Sequence, residues 1–323
     1  MDEGRKEENV RKHAGRHSAE GGANVRHVRA NGASARQASS PGSEAKANVR
    51  HAGSRRSSRR VAALFVALHL ACVLVPLAVV VVWAFTSAWP WPELLPQTFS
   101  DRGIVELFVT SSDLGSVLLV SIGISLAVAA LSTVFAAMAA RALAFHRFFG
   151  KELFRFSTVL PFLIPATVFA MGVQVIFIRA GLANTVWGVI VAHTIVALPY
   201  AITIMSEVTV AAGRRFEQQA RVSGAGPVRA LIEVQVPLLL PGLLSAASLA
   251  YITSFSQYFL TLLIGGGTVK TFALVMFPYL ASGDRTIASA YGVVFMLVTL
   301  GVFFLFEFLL KRFAPARNEY FTD

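Results

Sequence analysis

Six charge-free apolar stretches, at residues 61–92, 114–140, 156–178, 180–206, 234–269 and 286–306, leave this 323-residue chain few folds to choose from. Each holds at least the ~20 mostly apolar residues that an α-helix needs to cross about 30 Å of hydrocarbon. In lipid each backbone N–H and C=O must be satisfied within the segment, so such stretches take the helical form. A soluble core helix can imitate one of these windows, but not six in succession. A seventh run, 271–283, contains Pro278 and is too short to span, so it reads as interfacial or re-entrant. The expectation is an all-α membrane protein with six transmembrane helices.

Basic residues orient those helices. With the N-terminus in the cytoplasm, 25 of the 29 Lys and Arg fall inside, and only Arg102, Arg179, Lys270 and Arg285 fall outside. Both termini are therefore expected to be cytoplasmic. Residues 1–60 carry 14 basic and 6 acidic residues and no aromatic one. They cannot bury enough apolar area to offset the entropy of ordering, so they read as a disordered basic cytoplasmic tail. Contact with anionic lipid or nucleic acid is one use for such a tail. A solvated extension, or a misassigned start, is the preferred account, and no specific nucleic-acid partner is implied because stacking aromatics are missing. Cys72, the single cysteine, reads as a small core residue of the first span.

Several chemistries are missing from the sequence. It holds no Gly-rich phosphate loop ending in Lys-Ser/Thr, no His-Glu-x-x-His, and no intramembrane aspartate. Catalytic residues and metal ligands are accordingly set at none. Glu307 precedes Lys311 by four residues, which suits a helical ion pair. His69 and His193 suit neutral rings hydrogen-bonded to a neighbouring helix.

The 207–236 loop carries the most specific pattern. Residues 214–222 are good helix sequence, and Gly224 is free to take the left-handed conformation that closes a helix. Pro227 suits the first position of a second helix, and Pro237 is expected to interrupt before the fifth span. The result is a two-helix corner projecting into the cytoplasm. From Gln218-Gln219-Ala220 three residues lead to Gly224, and nine more to Val234, followed by Val236-Pro237 and Pro241-Gly242. This spacing resembles the EAA loop of ABC importer permease subunits. Gln218 and Gln219 stand where that family has Glu-Ala, with Glu217 one position earlier. His193 with Leu198-Pro199-Tyr200, and 254–258 with 263–267, resemble flanking segments in the spermidine/putrescine-like half-permease group. The resemblance covers roughly 112–311.

The resemblance implies the type I ABC importer (MetI-like) permease fold. It divides the chain into the tail at 1–60, a first helix and extracytoplasmic loop at 61–112, the importer domain at 113–311 with its loop at 207–237, and a cytoplasmic end at 312–323. The implied function is an ATP-driven importer's permease subunit, a transport subunit and not an enzyme, in a bacterial cell membrane. Implied partners are ABC ATPase subunits that bind the ATP and Mg, a second permease subunit, and an extracytoplasmic solute-binding protein. Glu217, Gln218, Gln219, Ala220, Gly224 and Pro237 become the ATPase-coupling residues. The solute is small and polar, with polyamines the nearest suggestion. A self-contained secondary transporter or channel is the alternative, although the inverted repeats or buried charges it predicts are not visible.

Translocation residues follow from helical periodicity. At ~100° per residue, Tyr251, Ser254, Gln257, Tyr258 and Thr261 share an arc of about 120° on a continuous fifth span. Five polar or amphipathic side chains on one face of an apolar helix suit a translocation pathway. A seam of interhelical hydrogen bonds is the competing reading.

Overall fold

A computed structural model describes the backbone of residues 41–90, 92–110 and 113–313. Helix α1 is Pro41–Ala84, followed by a two-stranded antiparallel hairpin, β1 Thr86–Ala88 and β2 Thr98–Phe99. A short α2 (Arg102–Val105) and a π-helical turn (Glu106–Thr110) lead to α3, Leu114–Phe145. Then come α4 (Lys151–Ser157), α5 (Leu160–Leu163), α6 (Ala166–Arg179) and α7 (Val186–Ala212). The 213–235 loop holds α8 (Arg215–Val222), α9 (Pro227–Ala230) and a second π-helical turn, Leu231–Gln235. Helices α10 (Val236–Phe255), α11 (Phe259–Gly265), α12 (Phe272–Ser282) and α13 (Arg285–Phe313) complete the described chain.

Backbone contacts divide the chain into two units, Met1–Val73 and Leu74–Asp323. In the first, α1 already begins at Pro41, inside the segment expected to lack structure, while residues 1–40 lie outside the described residues. Alanine- and arginine-rich sequence has good helix propensity, and extending a helix avoids a new nucleation step. Cys72 is exposed rather than packed in a core, as is His69.

The second unit is built on α3, α7 and α10. Along α3 the buried positions are mostly small: Ser121, Ser125, Ala129, Ser132, Thr133, Ala136 and Ala140. Small residues at helical spacing let backbones approach closely, which is how helices associate without a hydrophobic drive between them. The start of α3 (Leu114, Val117, Ile124) packs with the start of α7 (Val189, Ile190) and with Tyr251, Phe255, Leu260 and Ile264. Its end (Ala136, Ala140, Leu143) packs with the end of α7 (Ala201, Ile202, Met205) and the start of α10 (Leu239, Ala246). Helices α3 and α7 therefore run parallel, and α10 runs back against both.

Parallel neighbours oblige the intervening residues 146–185 to return along the bundle. They do so in pieces. Among the described residues, five helices are long and apolar enough to span: Val61–Ala84, Leu114–Phe145, Val186–Ala212, Pro227–Phe255 and Arg285–Arg312. The window at 156–178 is not a sixth of the same kind, because it is split among α4, α5 and α6 around Pro161 and Pro165. Each proline lacks the N–H that helix continuation requires. Helix α6 rises only about 21 Å at ~1.5 Å per residue. It is pinned near its end by Gln174, whose Nε2 donates to the Leu263 carbonyl at 3.1 Å.

At the end where α13 begins, α1, α2 and α13 converge. Thr286 Oγ1 donates to the Thr86 carbonyl at 2.6 Å, and Arg102 pairs with Asp284 at 2.8 Å. Gly103 suits the close approach there, since a Cβ would sit tightly, 3.0 Å from the Ala84 carbonyl oxygen and 3.1 Å from that of Thr286. At the far end of α13, Glu307 pairs with Lys311 at 2.7 Å, as their spacing suggested.

Candidate coupling site

The 213–235 loop leaves α7 at Gly213, whose φ of 65° and ψ of −170° form a conformation open essentially to glycine alone. Helix α8 follows with Glu217 in its first turn. Its end is closed by Gly224 in a left-handed conformation, φ 93°. The Ala225 N–H reaches back to the Ala220 carbonyl at 3.0 Å. Pro227 then opens α9, where its missing N–H costs nothing. Helix, left-handed corner and proline-led second helix all stand where the sequence put them.

Pro237 does not interrupt. The chain is helical without a break from Pro227 through the π turn into α10. In that turn the Val236 N–H bonds back five residues to the Leu231 carbonyl. The widened turn accommodates Pro237, because the i→i−4 ladder that a proline interrupts has already been shifted there.

Glu217 is the residue whose surroundings differ most from expectation. On a corner read as projecting into the cytoplasm a carboxylate would face solvent, yet Glu217 is only 6% exposed. Both of its oxygens accept from Arg141 Nη2, at 2.7 and 2.9 Å. Nη1 of the same guanidinium donates to Gln235 Oε1. Arg141 lies near the end of α3 and Gln235 in the turn before α10, so one planar fork joins α3, α8 and the head of α10. Arg is suited to this because its donors are fixed in a plane. The bonded guanidinium holds the Glu217 carboxyl below its usual range; burial pulls the other way, and Arg141, Arg214 and Arg221 reinforce the lowering through charge. A second tie is cationic, with the Arg214 guanidinium 4.6 Å from the Phe145 ring centre.

The outward side of the loop is left open. Gln218 and Gln219 are exposed and Ala220 half-buried, beside exposed apolar side chains: Phe216, Val222 (90% exposed), Val228 and Ile232. A shallow hollow runs between the two helices, lined by Ala220, Ser223, Gly224, Ala225, Arg229 and Glu233. Sequence reasoning missed Arg141 and Gln235. Arg141 had been counted only as a charge that fixes orientation, although it ends an otherwise uncharged helix one turn inside its C-terminus.

The five-residue arc comes apart. Tyr251, Ser254 and Thr261 are buried, the latter two against His193 of α7, while Gln257 and Tyr258 are half-buried. The continuous helix behind that arc is missing, because α10 ends at Phe255 and α11 starts at Phe259. Among the described residues no cluster of three or more His, Cys, Asp or Glu is placed to hold a metal ion.

A spanning bundle with a two-helix loop locked to its core is the architecture of a membrane transport subunit. The sequence profile of the family described as the binding-protein-dependent transport system inner membrane component matches residues 132–316, and the chain belongs to that family. It is thus a multi-pass permease component of the bacterial inner membrane. Among its relatives is the spermidine/putrescine transport system permease protein PotC of Haemophilus influenzae, 23% identical, matched over 70% of this chain and 82% of PotC. Another is the trehalose transport system permease protein SugB of Mycobacterium tuberculosis, 33% identical over 56% of this chain and 68% of SugB. The fold is similar to that of a chain from a bacterial ABC transporter involved in the import of the acidic polysaccharide alginate. That superposition has a TM-score of 0.62 at 17% identity and covers 79% of this chain and 96% of the other.

Proposed function

We propose that this chain forms half of the translocation pathway of an ATP-driven importer and that the 213–235 loop is its cytoplasmic handle for a separate ATPase subunit. The observation that carries this reading is the fork of Arg141. A loop held by a bonded carboxylate to α3, and through Gln235 to the head of α10, moves as one body with the helices that form the core. Its outer face offers exposed apolar and amide side chains, the composition of a contact surface for another protein. ATP hydrolysis belongs to that partner. A second permease subunit completes the pathway, and a solute-binding protein delivers the solute from the other side. The last assignment draws on the alginate transporter, which has been crystallised in complex with a ligand-bound periplasmic protein. Closure of the ATPases would bias the bundle between two states with different affinity for the solute.

The solute is read only as small and polar, since relatives named for spermidine/putrescine and for trehalose match almost equally well. Within the pathway, Gln257 and Tyr258 are the residues proposed to meet it, and Tyr251, Ser254 and Thr261 support them from behind. The test is co-purification: the full chain, extracted in mild detergent, should retain an ATPase subunit. Gly224→Val, which puts a β-branched residue at positive φ, should lose it while still inserting. An ATPase retained equally by a folded Gly224→Val variant, or a chain that transports alone in vesicles, would overturn the proposal.

A further inference from the structure

Between Gly242 and Gly265 the chain contains neither proline nor glycine, yet the helix breaks at 256–258. Breaks in membrane helices have identifiable causes, and the usual two are absent here. Non-helical backbone at membrane depth is tolerated where other groups satisfy it. Here hydroxyls do so: Ser256 Oγ reaches the Thr253 carbonyl at 3.3 Å, and Thr261 Oγ1 donates to the Gln257 carbonyl at 2.9 Å.

One side chain joins the two sides of the break. His193, in α7 and 1% exposed, has Nδ1 2.9 Å from Ser254 Oγ and Nε2 3.0 Å from Thr261 Oγ1. Ser254 belongs to α10 and Thr261 to α11. The proton positions follow from counting. Thr261 has one hydroxyl proton, and the Gln257 carbonyl can only accept, so that proton is committed. Nε2 must then be the donor to Thr261 Oγ1. In a neutral ring this leaves Nδ1 unprotonated, so Ser254 donates to it.

We infer that His193 is a positioning residue: as the Nε2–H tautomer it pins α10 and α11 at a fixed break and so holds Gln257 and Tyr258 out of helical register. The functional weight of this pin rests on the reading of Gln257 and Tyr258 as pathway residues. On an unbroken helix Gln257 would lie ~60° from Ser254, on the side that Ser254 turns towards α7. The break instead leaves Gln257 half-open and sets Tyr258 against Phe277 of α12, ring centres 3.7 Å apart. His193 thereby converts a packing face into an accessible one.

Two readouts on the full chain in membranes test this separately. In a Cys72→Ala, Gln257→Cys background, a small cationic methanethiosulfonate reagent should label position 257. Labelling should be lost in His193→Phe and in Thr261→Val, and retained in His193→Gln, which keeps a polar group near the Nε2 position. Independently, ¹⁵N-histidine spectra, assigned by the resonance lost in His193→Gln, should show one protonated and one unprotonated ring nitrogen, with Nε2 protonated. Unchanged labelling in folded His193→Phe and Thr261→Val, or an Nδ1–H tautomer, would overturn the pin. If position 257 never labels in any background while the Nε2–H tautomer is found, the pin stands and the pathway reading of Gln257 is what fails.

Discussion

Glu217 shows how far one residue's surroundings can depart from its neighbours in sequence. It stands between Phe216 and Gln218, both exposed, and is itself enclosed. Alternation of this kind on a short helix gives no periodic signal, and the partner lies 76 positions away on α3. Truncating it would leave Arg141 without its carboxylate. Glu217→Ala should therefore cost about 1–3 kcal/mol, the range for a hydrogen-bonded charged group that is not wholly desolvated. Thermal unfolding of the purified chain in detergent measures this. The pH dependence has a definite sign. The folded carboxyl is held below its unfolded range, so its stabilisation is complete above the unfolded pKa and disappears as pH falls through the lowered one. The melting-temperature gap between wild type and Glu217→Gln should be constant near neutrality and shrink under acid conditions. A gap that does not change with pH would mean that the ion pair contributes nothing.

Elements were legible wherever a local rule fixed them. Gly224 and Pro227 obey helix-stop and helix-start chemistry, and α8 and α9 lie where those rules put them. The short apolar run with Pro278 is α12, bounded by Gly283 in a left-handed conformation. What could not be read were features set by neighbours. The break at 256–258 needs His193 from another helix, and a helical-wheel argument carried straight through it. Pro237 was misread because a π turn upstream has no sequence rule of its own. The split of 156–178 around Pro161 and Pro165 was visible in the residues but hidden by a hydropathy window. Close packing of α7 on α10 is likewise a matter of neighbours. At Gly242 a Cβ would stand 2.8–2.9 Å from the Val208 side chain, including its branched Cβ, which cannot swing away. Gly242→Ala should cost about 1–3 kcal/mol by overpacking. Gly123→Ala in α3, where a Cβ meets nothing within 4 Å, should be neutral or slightly stabilising. Equal melting shifts for the two would show that α7 and α10 adjust freely.

For the whole molecule the open quantity is parity, meaning which loops share a side of the membrane. Among the described residues, five span-length helices alone would put the two ends of the bundle on opposite sides; a crossing by the broken return at 146–185 would make the count even. The packing argues for the even count. Arg141 and Phe145, at the end of α3, touch the loop that follows α7, so these two helices end on the same side. Pro227–Phe255 is 29 residues, about 43 Å at ~1.5 Å per residue, so the 213–235 loop and the 266–271 turn lie on opposite sides. By the positive-inside rule the first side is the one expected in the cytoplasm: Arg141, Arg147, Lys151, Arg155, Arg214, Arg215, Arg221 and Arg229 cluster there, and Arg179, Lys270 and Arg285 on the second. A reporter active only in the cytoplasm should work when fused after His146 or after Arg221 and fail after Thr268. Activity after Arg221 but not after His146 would mean that 146–185 does not cross and that α3 and α7 are not parallel in the membrane. Activity after Thr268 alone would invert the molecule and put the coupling loop on the wrong side for any ATPase.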